Sequence, residues 1–135
     1  MRVWHARSGA QGSVYRAHSS PVNSVAWSPD GRWIVSADPG RDHTVRVWSA
    51  ATGATSVTYN GHANTVNAVL WSPNGQYIAS ASADRTVQVW DAASGRPAYI
   101  YRGHTAAVTG LAWSPDGTFI ASGDADGTVQ IWHIT

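Results

Sequence analysis

The chain contains no cysteine, lysine or glutamate, and its 135 residues include one Phe, one Met and two Leu. Without Cys there can be no disulfide, thiolate metal site or Cys nucleophile, although this assigns no compartment. Strong helix formers other than Ala and Arg are nearly missing, which argues against a helical bundle. The net charge of +1, from nine Arg and eight Asp with His neutral, lacks the positive excess that phosphate-backbone binding draws on, and the Arg residues are spread out. Nucleic acid is not an expected partner. No stretch approaches the run of about eighteen apolar residues that a membrane helix needs. The opening Met1-Arg2-Val3-Trp4-His5 lacks the charged leader and apolar run of a signal peptide. The expectation is a soluble, cytoplasmic chain with no membrane partner.

What is present points to strands. Fourteen Val and eight Trp favour a pleated, half-buried surface, while thirteen Gly and six Pro punctuate the chain at short intervals. The fold class read from this is all-β, in one domain by length.

The pattern repeats. Trp4, Trp48, Trp90 and Trp132 lie 44, 42 and 42 residues apart, and Asp42, Asp84 and Asp126 each stand six residues before the last three. His18, His62 and His104 follow with gaps of 44 and 42. Between each His and its Trp lies a second marker: Trp27-Ser28-Pro29-Asp30-Gly31, Trp71-Ser72-Pro73-Asn74-Gly75 and Trp113-Ser114-Pro115-Asp116-Gly117. The chain divides into lead-in strands over 1–16 and repeats over 17–60, 61–102 and 103–135.

Each repeat reads as four short strands. The first, starting at Val22, Val66 and Val108, is apolar on both alternating faces, as expected of an inner strand between neighbouring sheets. The Ser-Pro-Asp/Asn-Gly turn leads to a second strand at Trp33, Tyr77 and Phe119, and a third begins at Thr44, Thr86 and Thr128. A small-residue turn ending in Gly9, Gly53 or Gly95 precedes the fourth strand, at Ser13 to Arg16, Ser56 to Asn60 and Ala98 to Arg102. That strand is more polar, which suits an edge exposed to water. Apolar content is expected to fall from the first strand outward.

A period near 42, the Gly61-His62 and Gly103-His104 openings, an Asp-containing turn and a closing Trp resemble the WD-repeat family of β-propellers. The resemblance covers nearly the whole chain and implies three four-stranded antiparallel blades. Only Trp90-Asp91 carries the dipeptide that names the family, Ala17 replaces Gly before His18, and the first repeat holds two extra residues around Pro39-Gly40.

The resemblance further implies a buried hydrogen-bond chain in each blade. Carried over, these are Asp42-His18-Ser36-Trp48, Asp84-His62-Ser80-Trp90 and Asp126-His104-Ser122-Trp132. A buried carboxylate and imidazole are tolerable when every donor and acceptor is matched, and a linked network can achieve that. In the second repeat, Ser80 is preferred to Ser82 because it shares its offset from Trp with Ser122. The same residues could be assembled into a nucleophilic triad. An active site is ordinarily built once, however, whereas a group repeated in every unit beside a Trp is usually structural. No catalytic residue is assigned. No metal or other cofactor is expected either, since His and Asp stand 22 or 24 residues apart with no close His pair. His5, His43 and His133 are read as solvated.

Propellers close into rings, typically of four blades or more. Three blades in an open arc would leave two apolar faces in water, and covering several hundred Å² at each seam is worth about 10 kcal/mol gross. The expectation is a homo-oligomer closing head to tail, two chains giving six blades or three giving nine. A neighbour's Ser13 to Arg16 strand could complete the last sheet. Met1 to Trp4, aligned with Val45 to Trp48, would then compete with Val129 to Trp132 and is expected to be displaced or frayed.

The function implied by the resemblance is a non-catalytic protein-binding scaffold. Its contacts would fall on a rim formed by Pro21, Asn23, Arg41, Thr65, Asn67, Ala83, Ala107, Thr109 and Ala125. Of these, only Arg41 has the character of a strong interface anchor. The alternative is a structural, self-assembling unit, or a fragment of a longer array, with no dedicated ligand.

Overall fold

The computed structural model describes residues 1–38, 40 and 43–134; Arg41 and Asp42, both singled out above, lie outside the described residues. Among the described residues there are thirteen strands and no helix. Strands β1 (Arg2–Trp4) and β2 (Gln11–Val14) form a hairpin. Strands β3 (Ser24–Trp27), β4 (Trp33–Ala37), β5 (Val45–Ser49) and β6 (Thr55–Tyr59) make a first four-stranded sheet in chain order. The second sheet holds β7 (Val66–Trp71), β8 (Tyr77–Ser82), β9 (Val87–Asp91) and β10 (Pro97–Tyr101). The third has only β11 (Val108–Trp113), β12 (Phe119–Asp124) and β13 (Val129–His133), so two sheets of the expected three are four-stranded. All pairings are antiparallel.

The turn between the first and second strands of each sheet is built identically. Ser28 Oγ donates to Asp30 Oδ1 at 2.6 Å, Asp30 Oδ1 accepts the Arg32 N–H at 3.0 Å, and Ser28 Oγ accepts the Trp33 N–H at 3.0 Å. Asn74 and Asp116 repeat the arrangement with Ser72 and Ser114. Gly31, Gly75 and Gly117 follow at φ of 73°, 74° and 76°, a conformation that Gly adopts without steric cost.

The sheets stack face to face. Val35, Val45 and Val47 of the first meet Val69, Ile78 and Trp90 of the second, and Ala79, Val87 and Val89 of the second meet Val108, Ile120 and Trp132 of the third. The hairpin makes a third seam, with Met1 and Val3 against Ile34 and Trp48. Burial does not fall steadily outward as expected. In the second sheet β8 and β9 are buried at all but one residue each, whereas β7 is partly buried and β10 largely exposed. Strands β8 and β9 have a neighbour on both sides and a sheet over both faces; β7 lies on an edge of its sheet.

The stack is open at both ends. Val25 and Trp27 are 55% and 53% exposed on the first sheet, and Val129 and Ile131 are 69% and 71% exposed on the third. In the single chain, where no neighbouring copy competes for its place, β1 is paired. Arg2 pairs with Val14 and Trp4 with Gln11, the Met1 amino group donates to the Tyr15 carbonyl at 2.8 Å, and the Tyr15 N–H returns to the Met1 carbonyl at 2.9 Å. The seat that Met1 and Val3 find on the first sheet accounts for this order.

Candidate interaction surfaces and the buried histidine networks

The second sheet carries the fullest polar network. His62 sits just before β7, Asp84 in the turn between β8 and β9, and Ser80 within β8. His62 Nδ1 lies 2.9 Å from Asp84 Oδ2, and Nε2 lies 2.7 Å from Ser80 Oγ. Because an ionised carboxylate can only accept, Nδ1 carries a proton and donates it to Asp84. Asp84 also accepts the Ala63 N–H at 3.1 Å, the Thr86 N–H at 2.9 Å and the Thr86 hydroxyl at 2.6 Å. Partial burial pushes the Asp84 carboxyl up, but the hydrogen bonds from His62, Thr86 and Ala63 outweigh it and hold the group well below the usual carboxylate range. Ser80 takes this place, while the Ser82 hydroxyl turns instead to the Asn64 carbonyl.

The third sheet differs in its acid. His104 Nδ1 lies 2.7 Å from Asp124 Oδ2, and Asp126, the residue expected there, is exposed. Asp124 stands on the end of β12, 20 residues after His104, and its Cβ direction carries the carboxylate inward. Asp126 stands in the turn beyond. The second sheet has Ser82 at the position of Asp124 and must reach one turn further, to Asp84. The remaining links form: His104 Nε2 to Ser122 Oγ at 2.7 Å, and Trp132 Nε1 to Ser122 Oγ at 3.0 Å. The hydrogen bond from His104 holds the Asp124 carboxyl below its ordinary value despite burial.

In the first sheet Ser36 Oγ is 2.5 Å from His18 Nε2, and Asp38, equivalent to Asp124, places Oδ2 3.5 Å from His18 Nδ1. The expected partner Asp42 lies outside the described residues. The indoles of Trp48 and Trp90 do not join their chains: both Nε1 atoms are buried with no hydrogen-bond partner among the described residues. Those rings are positioned by stacking instead. His5 and His133 are exposed, and His43, expected in solvent, is half-buried at a φ of 48°.

A second repeated constellation crosses the seams. Tyr15, Tyr59 and Tyr101 lie flat on Trp48, Trp90 and Trp132 of the following sheet, with centroids 4.6, 4.7 and 4.4 Å apart. The Tyr59 hydroxyl donates to Gln88 Oε1 at 2.5 Å, Tyr101 does the same to Gln130, and the Gln amides reach the Gly61 and Gly103 carbonyls at 3.2 and 3.0 Å. This explains the Gly of the Gly-His opening. A Cβ on Gly61 would lie 2.6 Å from both Gln88 Oε1 and the Tyr59 hydroxyl oxygen. The first sheet has Arg46 in place of Gln, its Tyr15 hydroxyl bonds Thr55 Oγ1 at 2.6 Å, and Ala17 is accommodated there. Sequence reading overlooked this set, although the Tyr residues share the 44 and 42 spacing of the Trp.

The rim residues divide into two kinds. Thr65 and Ala83, and likewise Ala107 and Ala125, are tied by backbone hydrogen bonds of 2.9 Å at one end of their sheets, and Pro21, Thr109 and Ala125 are exposed. Asn23, which is exposed, and the half-buried Asn67 also reach across seams: their amides donate to the Val66 and Val108 carbonyls of the next sheet at 3.2 and 2.9 Å. Arg41 lies outside the described residues.

Residues 9–49, 53–91 and 95–133 each match the family described as WD domain, G-beta repeat. No curated protein matches the chain. WD40 repeats are generally protein-interaction scaffolds and typically non-catalytic. With the matches covering most of its length and the sheets, turns and His networks recurring in step with them, the chain belongs to the WD40-repeat family.

Proposed function

We propose that this chain is a non-catalytic scaffold that binds protein and completes its propeller by associating with further copies of itself. The observation that carries the reading is a comparison of equivalent positions. Val45 and Val47 of the first sheet are 0% and 2% exposed and Val87 and Val89 of the second are both 0%, yet their counterparts Val129 and Ile131 are 69% and 71%. At the other end Val69 is 2% exposed and its counterpart Val25 is 55%. The two bare faces are thus the two halves of one seam, which a second copy supplies in complementary form. Covering each such side chain contributes about 1.5–3 kcal/mol, while association costs about 4–15 kcal/mol. One seam is marginal by that comparison. A closed ring of two or three copies adds a further seam at the last step, so closure is favoured over open chains.

Catalysis by the His-Ser-Asp sets has no support in the geometry. Ser36, Ser80 and Ser122 are 0%, 0% and 1% exposed, so a substrate cannot reach their hydroxyls. Binding falls instead to the rim, where Pro21, Asn23, Arg41, Thr65, Asn67, Ala83, Ala107, Thr109 and Ala125 are candidates for contact with a protein or peptide. Sedimentation velocity over a range of concentrations tests the assembly: a particle of two or three chains is expected, and a single-chain species throughout overturns it. A partner that co-purifies with the wild type and is lost from Arg41→Asp tests the rim.

A second reading has one observation in its favour. Strands β1 and β2 occupy, against the first sheet, the places that β5 and β6 occupy against the second, as they would if the chain were part of a longer array of the same repeats.

A further inference from the structure

Resting on the self-association reading, we infer that β1 is a placeholder for β13 of a second copy, and that opening the β1–β2 hairpin controls assembly. The hairpin is the outer half of a sheet. Trp4 pairs with Gln11 as Trp48 pairs with Thr55 and Trp90 with Pro97, and Arg2 pairs with Val14 as Arg46 pairs with Thr58 and Gln88 with Ile100. Tyr15 stacks on Trp48 at 4.6 Å, as Tyr59 stacks on Trp90 at 4.7 Å. The alignment makes β1 the third strand of that half-sheet and β2 the fourth. In the same alignment Met1 and Val3 correspond to Val129 and Ile131.

The third sheet is the complementary half, with first, second and third strands and an unpaired outer edge on β13. Docking it beside the first sheet of another copy brings β13 to the edge of β2 that β1 already holds. Both cannot pair there. The contest favours the incoming strand on structural grounds. Strand β1 has three residues and an exposed Trp4, whereas β13 has five residues and brings the bare Val129 and Ile131 onto the seat of Met1 and Val3. Beside β1, an apolar groove of about 330 Å³ lined by Val3, Val25, Trp27 and Ile34 is where β12 and β11 of the incoming sheet would lie.

The absence of native cysteine makes the exchange directly testable. The mutual backbone bonds of Met1 and Tyr15 make Arg2 and Val14 a non-hydrogen-bonded pair, whose close Cα atoms suit a disulfide. In full-length Arg2→Cys/Val14→Cys, the oxidised form is expected to sediment as a single chain and the reduced form to associate as wild type does. Equal association of the two overturns the exchange while leaving self-association intact. A mixture of Val14→Cys and Gln130→Cys chains is expected to give an interchain disulfide under oxidation, because exchange makes these residues cross-strand partners. Associated particles that yield no such product also overturn the exchange. Single chains for wild type and for the reduced variant overturn self-association itself, while tighter association of a chain lacking residues 1–5 than of wild type supports β1 as the inhibiting strand.

Discussion

Tyr59 of the first sheet lies on Trp90 of the second with ring planes 10° from parallel, and its hydroxyl passes beyond the indole to Gln88. One side chain thus supplies both apolar and polar contact across the seam, which is why the constellation recurs wherever one sheet meets the next. Tyr59→Phe is expected to keep the stack and lose about 1 kcal/mol with the hydrogen bond. Tyr59→Ala removes both and is expected to cost about 3–5 kcal/mol. Urea unfolding of the two variants separates the contributions; equal midpoints would mean the ring adds nothing.

His62 is held between Asp84 and Ser80, so His62→Ala leaves a buried hydroxyl and a partly buried carboxylate short of partners. A loss of about 1–3 kcal/mol is expected. A denaturation midpoint equal to that of wild type would count against the network as a source of stability.

Two aspartates of the third repeat are expected to behave oppositely. Asp124→Asn weakens the bond to His104 and should lower the urea midpoint, while Asp126→Asn alters an exposed turn residue and should leave it unchanged. The reverse result would restore Asp126 as the partner.

Stability should decline in acid. The folded Asp84 carboxyl is held far below its unfolded value of about 3.9, so its contribution is complete above that pH and drains away as pH falls toward the folded value. Asp124 shifts in the same direction. Urea midpoints at neutral pH and below pH 4 should therefore diverge for wild type, and Asp84→Asn should show a shallower decline. Parallel declines would remove Asp84 from the account.

Ile131→Asp places a charge on the bare face of the third sheet, where the side chain is 71% exposed. The fold should tolerate it, and association should fail because closing a seam would bury an unpaired carboxylate. Circular dichroism checks the first outcome and sedimentation the second. An associating Ile131→Asp protein would place the contact elsewhere.

Much of the fold was legible in the primary structure because its units repeat and their turns have strict chemistry. Ser28-Pro29-Asp30-Gly31 and its counterparts announce a tight turn through a side chain that caps the backbone and a Gly at positive φ. The spacing of Trp48, Trp90 and Trp132 set the register of the rest. The candidate site was less legible. Asp84 and Asp126 share an offset from Trp, yet one reaches a histidine and the other solvent, because Asp124 ends a strand and is aimed inward while Ser82, its equivalent, is too short.

The amino-acid order by itself determined that this protein is built of repeated short antiparallel strands and where their turns fall, since these follow from local periodicity, while its resemblance to the WD-repeat family implied which His and Ser meet. Only the tertiary structure decided which carboxylate completes each network, that Asn23 and Asn67 tie sheets together, and that Met1 and Val3 cover a seam. Those outcomes depend on which sheet lies against which face. Such contacts join residues about forty positions apart and leave no mark on either neighbour in the chain.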